Sequence, residues 1–318
     1  MAHLIETMAY VNATPWHGLG EKLEPKQPLE VWAEKAGLNF EILDSPVHYQ
    51  TAGKESDSII LPFEDQKVLF RSDTKAALSV VSSRYQVVQP EEILEFYRDL
   101  TEIAGYEMET AGVLKGGRKI WALARTGDSI SVKGNDLING YLLLATGCDG
   151  TLATTAQFTS VRVVCNNTLA LAVGDKAHAV KVPHSTTFDA EEVKRKLGVS
   201  ISGWDRFKNH MHALADRKVN DKESEYFIRK VFGADLDEGY INLNQYAMKK
   251  VQMLFEGHGR GAELQSARGT AFGLLNAVTE FVDHEKRARD SSARLDSAWF
   301  GKGATLKQKA LETALSMV

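Results

Sequence analysis

The stretch from Thr159 to Leu169, TSVRVVCNNTL, brings an arginine, a thiol and two amides within a few residues of one another. Strand alternation puts Thr159, Val161, Val163 and Cys165 on one face and Phe158, Ser160, Arg162 and Val164 on the other. Arg162 thereby shares a face with an aromatic and a hydroxyl. An arginine beside an aromatic on an open sheet can hold a phosphate while a base stacks, as single-strand binders do. The same arginine can equally be structural, paired with a carboxylate of the acidic half of the chain. Cys-Asn-Asn-Thr then reads as a junction from strand to helix. One asparagine there caps the first helical amides, which leaves Asn167 for a ligand at the helix N-terminus or for the turn. Cys165 is either a thiol activated at that terminus or a small buried apolar residue.

Further cations flank the same region. Arg84 and Tyr85 in SSRYQVV, with Lys115, Arg118 and Lys119 in KGGRK, outline a groove beside the sheet. GHGRG, from Gly257 to Gly261, brings Arg260 toward a phosphate or simply caps a helix and turns. Arg268 lies in the same glycine-rich loop. A dinucleotide fingerprint needs a strand before such a loop and a helix directly after it, and neither pattern is present.

Other chemistries lose ground. The sequence contains no G-x-x-x-x-G-K-[ST], G-x-S-x-G, H-E-x-x-H or C-x-x-C pattern. His210 and His212, two apart on a helix, point about 200° away from each other and cannot share an ion. The expectation is no metal and no cofactor. An enzyme acting on nucleic acid or a nucleotide, using Asp149, His17 or Cys165, is a second alternative without a spacing that guarantees proton-transfer reach. Asp149 with Gly150 reads as a two-residue hairpin turn, which sets Cys148 opposite Thr151 and away from Cys165, so no disulfide is expected.

These residues must be held by a sheet and its helices. The chain has 318 residues, with 43% hydrophobic and 25% charged, ordinary for a globular protein. No apolar run reaches the roughly 18 residues of a membrane span, and MAHLIETMAY has no signal-peptide pattern, so a cytoplasmic protein is expected. The net charge of −4 hides an asymmetry: residues 1–150 carry 14 Lys/Arg against 22 Asp/Glu, while residues 151–318 carry 24 against 20. Such opposed halves suit a localised basic surface or attraction between subunits.

PEEILEFYRDLTEIAG has Pro90 in its first turn and Gly105 at its end, and predicts a helix whose face of Ile93, Phe96, Tyr97, Leu100 and Ile103 lies on a sheet. YEMETAGVL with KIWALART, and LINGYLLLATGC with TLATTAQFTSVRVVC, form two hairpins. Beyond Ala190 the periodicity is helical nearly throughout. The fold class is therefore α+β, an antiparallel sheet of β-hairpins with a helix across it and a mostly helical C-terminal region. The expected divisions are 1–60 (an arm and a helix), 61–187 (the sheet core) and 188–318 (the helical region).

PWHGLG, SSRYQVVQP, GGRKIWALA, the Asp-Gly hairpin, VRVVCNNTL, NAVTEFVDH and SAWFG, spread in order from Pro15 to Gly301, resemble the phage/plasmid-like protein family known as domain of unknown function 932. The resemblance implies a protein of phages, prophages or conjugative plasmids, engaged with single-stranded DNA or with host defence. The sheet with a helix across it is also loosely similar to phage single-strand annealing proteins, a likeness at the level of fold alone. The resulting expectation is a non-enzymatic, homo-oligomeric, single-stranded DNA binder with Arg84, Tyr85, Lys115, Arg118, Lys119, Arg162, Asn167, Arg260 and Arg268 along the strand. The alternative is an interaction protein that inhibits a host defence or repair factor.

Overall fold

The computed structural model describes residues 7–12, 20–51, 58–164, 167–170, 179–198, 201–233 and 245–318. It is an α+β structure. Its main sheet has the strand order β10-β9-β8-β7-β6-β1-β2. The strands are β1 (Met8–Tyr10), β2 (Glu21–Lys22), β6 (Glu107–Leu114), β7 (Lys119–Val132), β8 (Asp136–Gly147), β9 (Thr154–Arg162) and β10 (Asn167–Ala170), and β11 (Ala179–Val182) pairs with the first half of β9. A second sheet has β3 (Ile42–Gln50), β4 (Ile60–Arg71) and β5 (Ala77–Ser82) in that order. The first 60 residues thus supply strands to both sheets, through β1 on β6 and β3 on β4.

One face of the main sheet is covered by α1 (Leu29–Lys35) and α2 (Pro90–Glu95), with α3 (Arg98–Glu102) following. Trp32, Ile93, Phe96 and Tyr97 pack there on Ala111, Ile120, Ala122 and Leu144. Pro90 opens α2 as read, and the Gln89 amide donates to Glu92 Oε2 at 2.7 Å. The Gln89 side chain meanwhile bonds both backbone groups of Ile42, at 2.8 and 3.0 Å, tying the helix entry to the second sheet. The single helix expected over 90–105 is interrupted at Phe96 and Tyr97. Both are fully buried, and Tyr97 Oη lies 2.8 Å from the Ala122 carbonyl and 3.0 Å from that of Leu142. Ile103, expected on the apolar face, is 83% exposed because α3 no longer follows the line of α2.

The C-terminal region contains α4 (Ala190–Gly198), α5 (Ile201–Asp216), α6 (Asp221–Phe232), α7 (Gln245–Met253), α8 (Ala271–Glu280), α9 (Ser291–Phe300) and α10 (Lys302–Leu315). The far end of the β7–β8 hairpin is pushed into these helices: Ile130, Val132 and Ile138 share a core with Phe207, Phe227, Phe272 and Leu311. Near the other end of the sheet, α9 covers the second face, where Leu295 and Trp299 meet Trp121, Leu123 and Leu143. Burying such a large apolar side chain contributes about 1.5–3 kcal/mol, so hairpin and helices stabilise one another. Between Arg125 and Ser129 the ladder shifts, leaving Gly140 opposite the bulge. A Cβ on Gly140 would meet the Trp204 ring at 3.1 Å, which explains a glycine inside a central strand.

The SVRVVCNNTLAL stretch departs from its reading. Residues 167–170 form a strand, antiparallel to β9 with Asn167 opposite Arg162, and no helix starts there. Apolar runs of this length fit either element, and the free outer edge of β9 decides for the strand. Asn166 and Cys165 lie outside the described residues.

Candidate nucleic-acid interface

The sequence-predicted residues separate into two groups at opposite ends of the main sheet. Lys119 lies opposite Gly147 of β8, whereas Arg162 lies opposite Ile138. Nine residues of strand between those registers amount to about 30 Å. The single groove expected from the sequence is therefore two separate places.

At the far end, Arg162 is buried, with 4% of its side chain exposed. Its Nε lies 2.8 Å from Asp136 Oδ1 and its Nη2 2.6 Å from Asp136 Oδ2, a bidentate pair with a carboxylate from the acidic half of the chain. Nη2 also donates to the Gly261 carbonyl at 3.0 Å, Ser266 Oγ donates to Asp136, and the guanidinium lies 5.3 Å from the centre of the Phe272 ring. Arg162 thus joins β9, β8 and the loop 254–270, and its donors face protein rather than solvent. The expectation that it lines a nucleic acid gives way to the structural reading. Arg260 is exposed, its amide held by Glu280 at 2.9 Å and its guanidinium 3.0 Å from His284 Nδ1. Burial pushes the Glu280 carboxyl above its ordinary range, against the opposing hydrogen bond from Arg260. Arg268 is exposed, with its carbonyl accepting from Lys218 Nζ.

The near end is built on the β6–β7 turn. Lys115, Gly116 and Gly117 all adopt positive φ, at 53°, 70° and 111°, a sequence of left-handed residues that glycine tolerates and lysine does so rarely. That turn sends Lys115 Nζ and Lys119 Nζ onto the two oxygens of one carboxylate, Asp296 of α9, at 2.7 and 2.5 Å. Burial alone would raise the Asp296 carboxyl, but the hydrogen bonds from Lys115 and then Lys119 outweigh it and hold the group below its ordinary range. Arg118, between the two lysines, is exposed.

Arg84 and Tyr85 belong to the same end. Tyr85 Oη donates to the Gly147 carbonyl at 2.7 Å, and the next residue, Cys148, donates its amide to the Arg118 carbonyl at 2.9 Å. Tyr85 does not offer an open ring as expected: His184 stacks on it with centroids 4.4 Å apart, and burial pushes its phenol up. The imidazole is fixed in turn by the carbonyls of Gln86 and Leu152. Arg84, one residue earlier, is exposed. Four cations, Arg84, Lys115, Arg118 and Lys119, thus lie at this end, and Asp296 pairs with the two lysines.

The groups considered for catalysis are otherwise engaged or out of view. Asp149 Oδ1 accepts from both the amide and the hydroxyl of Thr151, at 3.0 and 2.6 Å, as a turn residue does. The β8–β9 pairing ends at Ala145 and Thr155, a register in which Cys148 falls opposite residue 152 rather than Thr151. Cys148 is buried, and burial pushes its thiol up to about 12. His17 and Cys165 lie outside the described residues. Among the described residues no cluster of three or more His, Cys, Asp or Glu could hold a metal ion, and no helix is long and apolar enough to cross a membrane.

The structural contribution that sequence reasoning missed is Asp296. It lies 177 residues from Lys119, inside a helix whose pattern gives no sign of it. The profile of a family described as a domain of unknown function, DUF932, matches residues 77–299. The chain belongs to this family. The match runs from the first residue of β5 into α9, so that Arg84, the β6–β7 turn, Asp296 and the Arg162–Asp136 pair all fall within the DUF932 region, while β3 and β4 precede it. No curated protein matches the chain.

Proposed function

We propose that this DUF932 protein binds single-stranded DNA, without turnover, as a phage or plasmid protein that assists annealing or recombination. The observation that carries this reading is the charge at the near end of the sheet: two lysines share the one carboxylate of Asp296, with Arg118 and Arg84 exposed beside them. Lys119 is buried with its amine on that carboxylate, whereas Arg84 and Arg118 are exposed and would meet phosphates. The strand would pass over the β6–β7 turn and Arg84, with Lys115, 40% exposed, as a third contact. Affinity would come mainly from phosphate neutralisation, with release of counterions, and would fall steeply with salt. A titration of labelled single-stranded and duplex oligonucleotide by fluorescence anisotropy, at low and at physiological salt, tests it. Salt-sensitive preference for the single strand is expected, and absence of binding at low salt rejects the reading.

A second reading, an inhibitor that docks a basic host protein, is favoured by one feature. An open groove of about 910 Å³ between α1 and α2 is lined by Glu30, Glu34, Glu41, Glu91 and Glu95. Arg98 offsets part of that charge through Glu30 and Glu95. Recovery of a host protein that survives nuclease treatment and is lost on Glu34→Lys with Glu91→Lys would support this reading over DNA binding.

A further inference from the structure

The outer half of the β3–β4 hairpin stands apart from the three hydrophobic cores. β5 pairs with β4 only from Gln66 to Phe70, so the pairs Val47–Phe63, His48–Pro62, Tyr49–Leu61 and Gln50–Ile60 have no third strand among the described residues. Among the described residues, none between Leu43 and Val68 belongs to a hydrophobic core. Directly paired residues share a face, which places Val47, Tyr49, Leu61 and Phe63 together. The same register continues to Thr51, whose amide donates to the Ile59 carbonyl at 3.0 Å. Ile59, Tyr49 and Phe63 on this face are 56%, 48% and 42% exposed.

Two strands alone are marginally stable in water, and a contiguous apolar face turned outward marks a surface that another body covers. Extension of the sheet at its edge is a poor cover. Pro46 has no N–H to offer, and the ladder shifts between Pro46 and Val47. The cover must therefore come onto the face. The base of this arm is acidic: Glu64 and Asp65 are exposed, whereas Lys67 is paired with Asp44.

A complementary surface exists on α7 of the same chain. Tyr246, Lys249 and Met253 fall on one side of that helix at the spacing i, i+3, i+7, and all three are exposed. The guanidinium of Arg287 lies 5.2 Å from the centre of the Tyr246 ring. Two apolar side chains flanked by two cations match an apolar arm with two carboxylates at its base.

We infer that the β3–β4 arm of one copy docks on the α7 face of a second copy, apolar stripe on Tyr246 and Met253, Glu64 and Asp65 toward Lys249 and Arg287. The two surfaces differ, so the contact is head to tail and repeats from copy to copy, giving a ring where the rotation closes and a filament where it does not. The arm is independent of the proposed DNA contacts.

Light scattering after size exclusion on the full chain tests the inference. The wild type should give a mass above the 35.1 kDa monomer that declines as salt is raised. E64K/D65K and K249E/R287E should each run as monomers with unchanged circular dichroism. Mixed together they should assemble again beyond a dimer with the two variants alternating, since the reversed arm matches the reversed helix and the unreversed arm the unreversed helix. A monomeric wild type at high concentration, or a K249E/R287E chain that keeps its wild-type mass, would overturn the inference. Should a double variant fail to fold, the single exposed exchange Arg287→Glu carries the same test, a mass unchanged from wild type contradicting the inference. Assembly that appears only with added DNA would contradict it as well.

Discussion

Arg162 and Asp136 form a bidentate ion pair inside the protein, Nη2 to Oδ2 at 2.6 Å, with 4% and 0% of their side chains exposed. The pair locks the end of the β8–β9 hairpin against the loop before α8. Removing one partner leaves the other charge buried and uncompensated, at a cost of about 3–5 kcal/mol. Arg162→Ala is therefore expected to destabilise the fold by that amount in urea unfolding. The double exchange Arg162→Met with Asp136→Leu should cost less than either single exchange, since it leaves no orphan charge. Equal stability of Arg162→Ala and wild type would contradict the structural assignment.

Asp296 makes stability depend on acid. Its folded carboxyl lies below the ordinary aspartate value of about 3.9. Its contribution is thus present above that value and is lost as pH falls through the lower, folded value. Asp296→Asn should destabilise at neutral pH and flatten the loss of stability on acidification. The neutral-pH cost should fall short of the about 3–5 kcal/mol of a fully buried pair, because 17% of the Asp296 side chain is exposed. Parallel stability curves for the two proteins from pH 6 down to about pH 3, the range around the ordinary aspartate value, would rule the linkage out.

Cys148 should resist thiol reagents. With its thiol buried and pushed up to about 12, little thiolate exists at neutral pH, and reaction should need opening of the fold. In a Cys165→Ser background, labelling by a disulfide reagent should be slow in buffer and fast in denaturant. Fast labelling of the folded protein would contradict this environment.

Gly140 should not accept alanine. The added Cβ would lie 3.0 Å from Thr126 Oγ1 and 3.1 Å from the Trp204 ring, a rigid group. Overpacking of this kind costs about 1–3 kcal/mol. A thermal midpoint equal to that of wild type would show that Trp204 has room to move.

Local signals made the hairpins legible. Gly116 and Gly117 marked a turn that the structure contains, Asp149-Gly150 marked the β8–β9 reversal although that connection runs over 148–153 rather than two residues, and Pro90 marked the start of α2. Long-range relationships were not legible in the same way. Lys115, Arg118 and Lys119 are close in sequence and stay together, but Arg162 looked like their neighbour only because alternation gives a face and not a position along the strand. Its distance from them is set by nine residues of β8 register. Asp136 and Asp296, the carboxylates that decide which cations are buried, lie 26 and 177 residues from their partners. The strand at 167–170 was misread because TLAL suits a helix until a free strand edge is available to it. The outer half of β3–β4 escaped notice since residues from 42 to 50 include a proline and lack a strict alternation.

Exchange of Arg84 and Arg118 to alanine tests whether the near end of the sheet carries the DNA contacts. Both side chains are exposed, so the double variant should keep the wild-type melting curve. Salt-dependent anisotropy titrations with single-stranded DNA should then show weaker binding and, at about 0.7 per lost phosphate contact, a log–log salt slope shallower by about 1.4. A folded double variant that binds with wild-type affinity and slope would contradict the account.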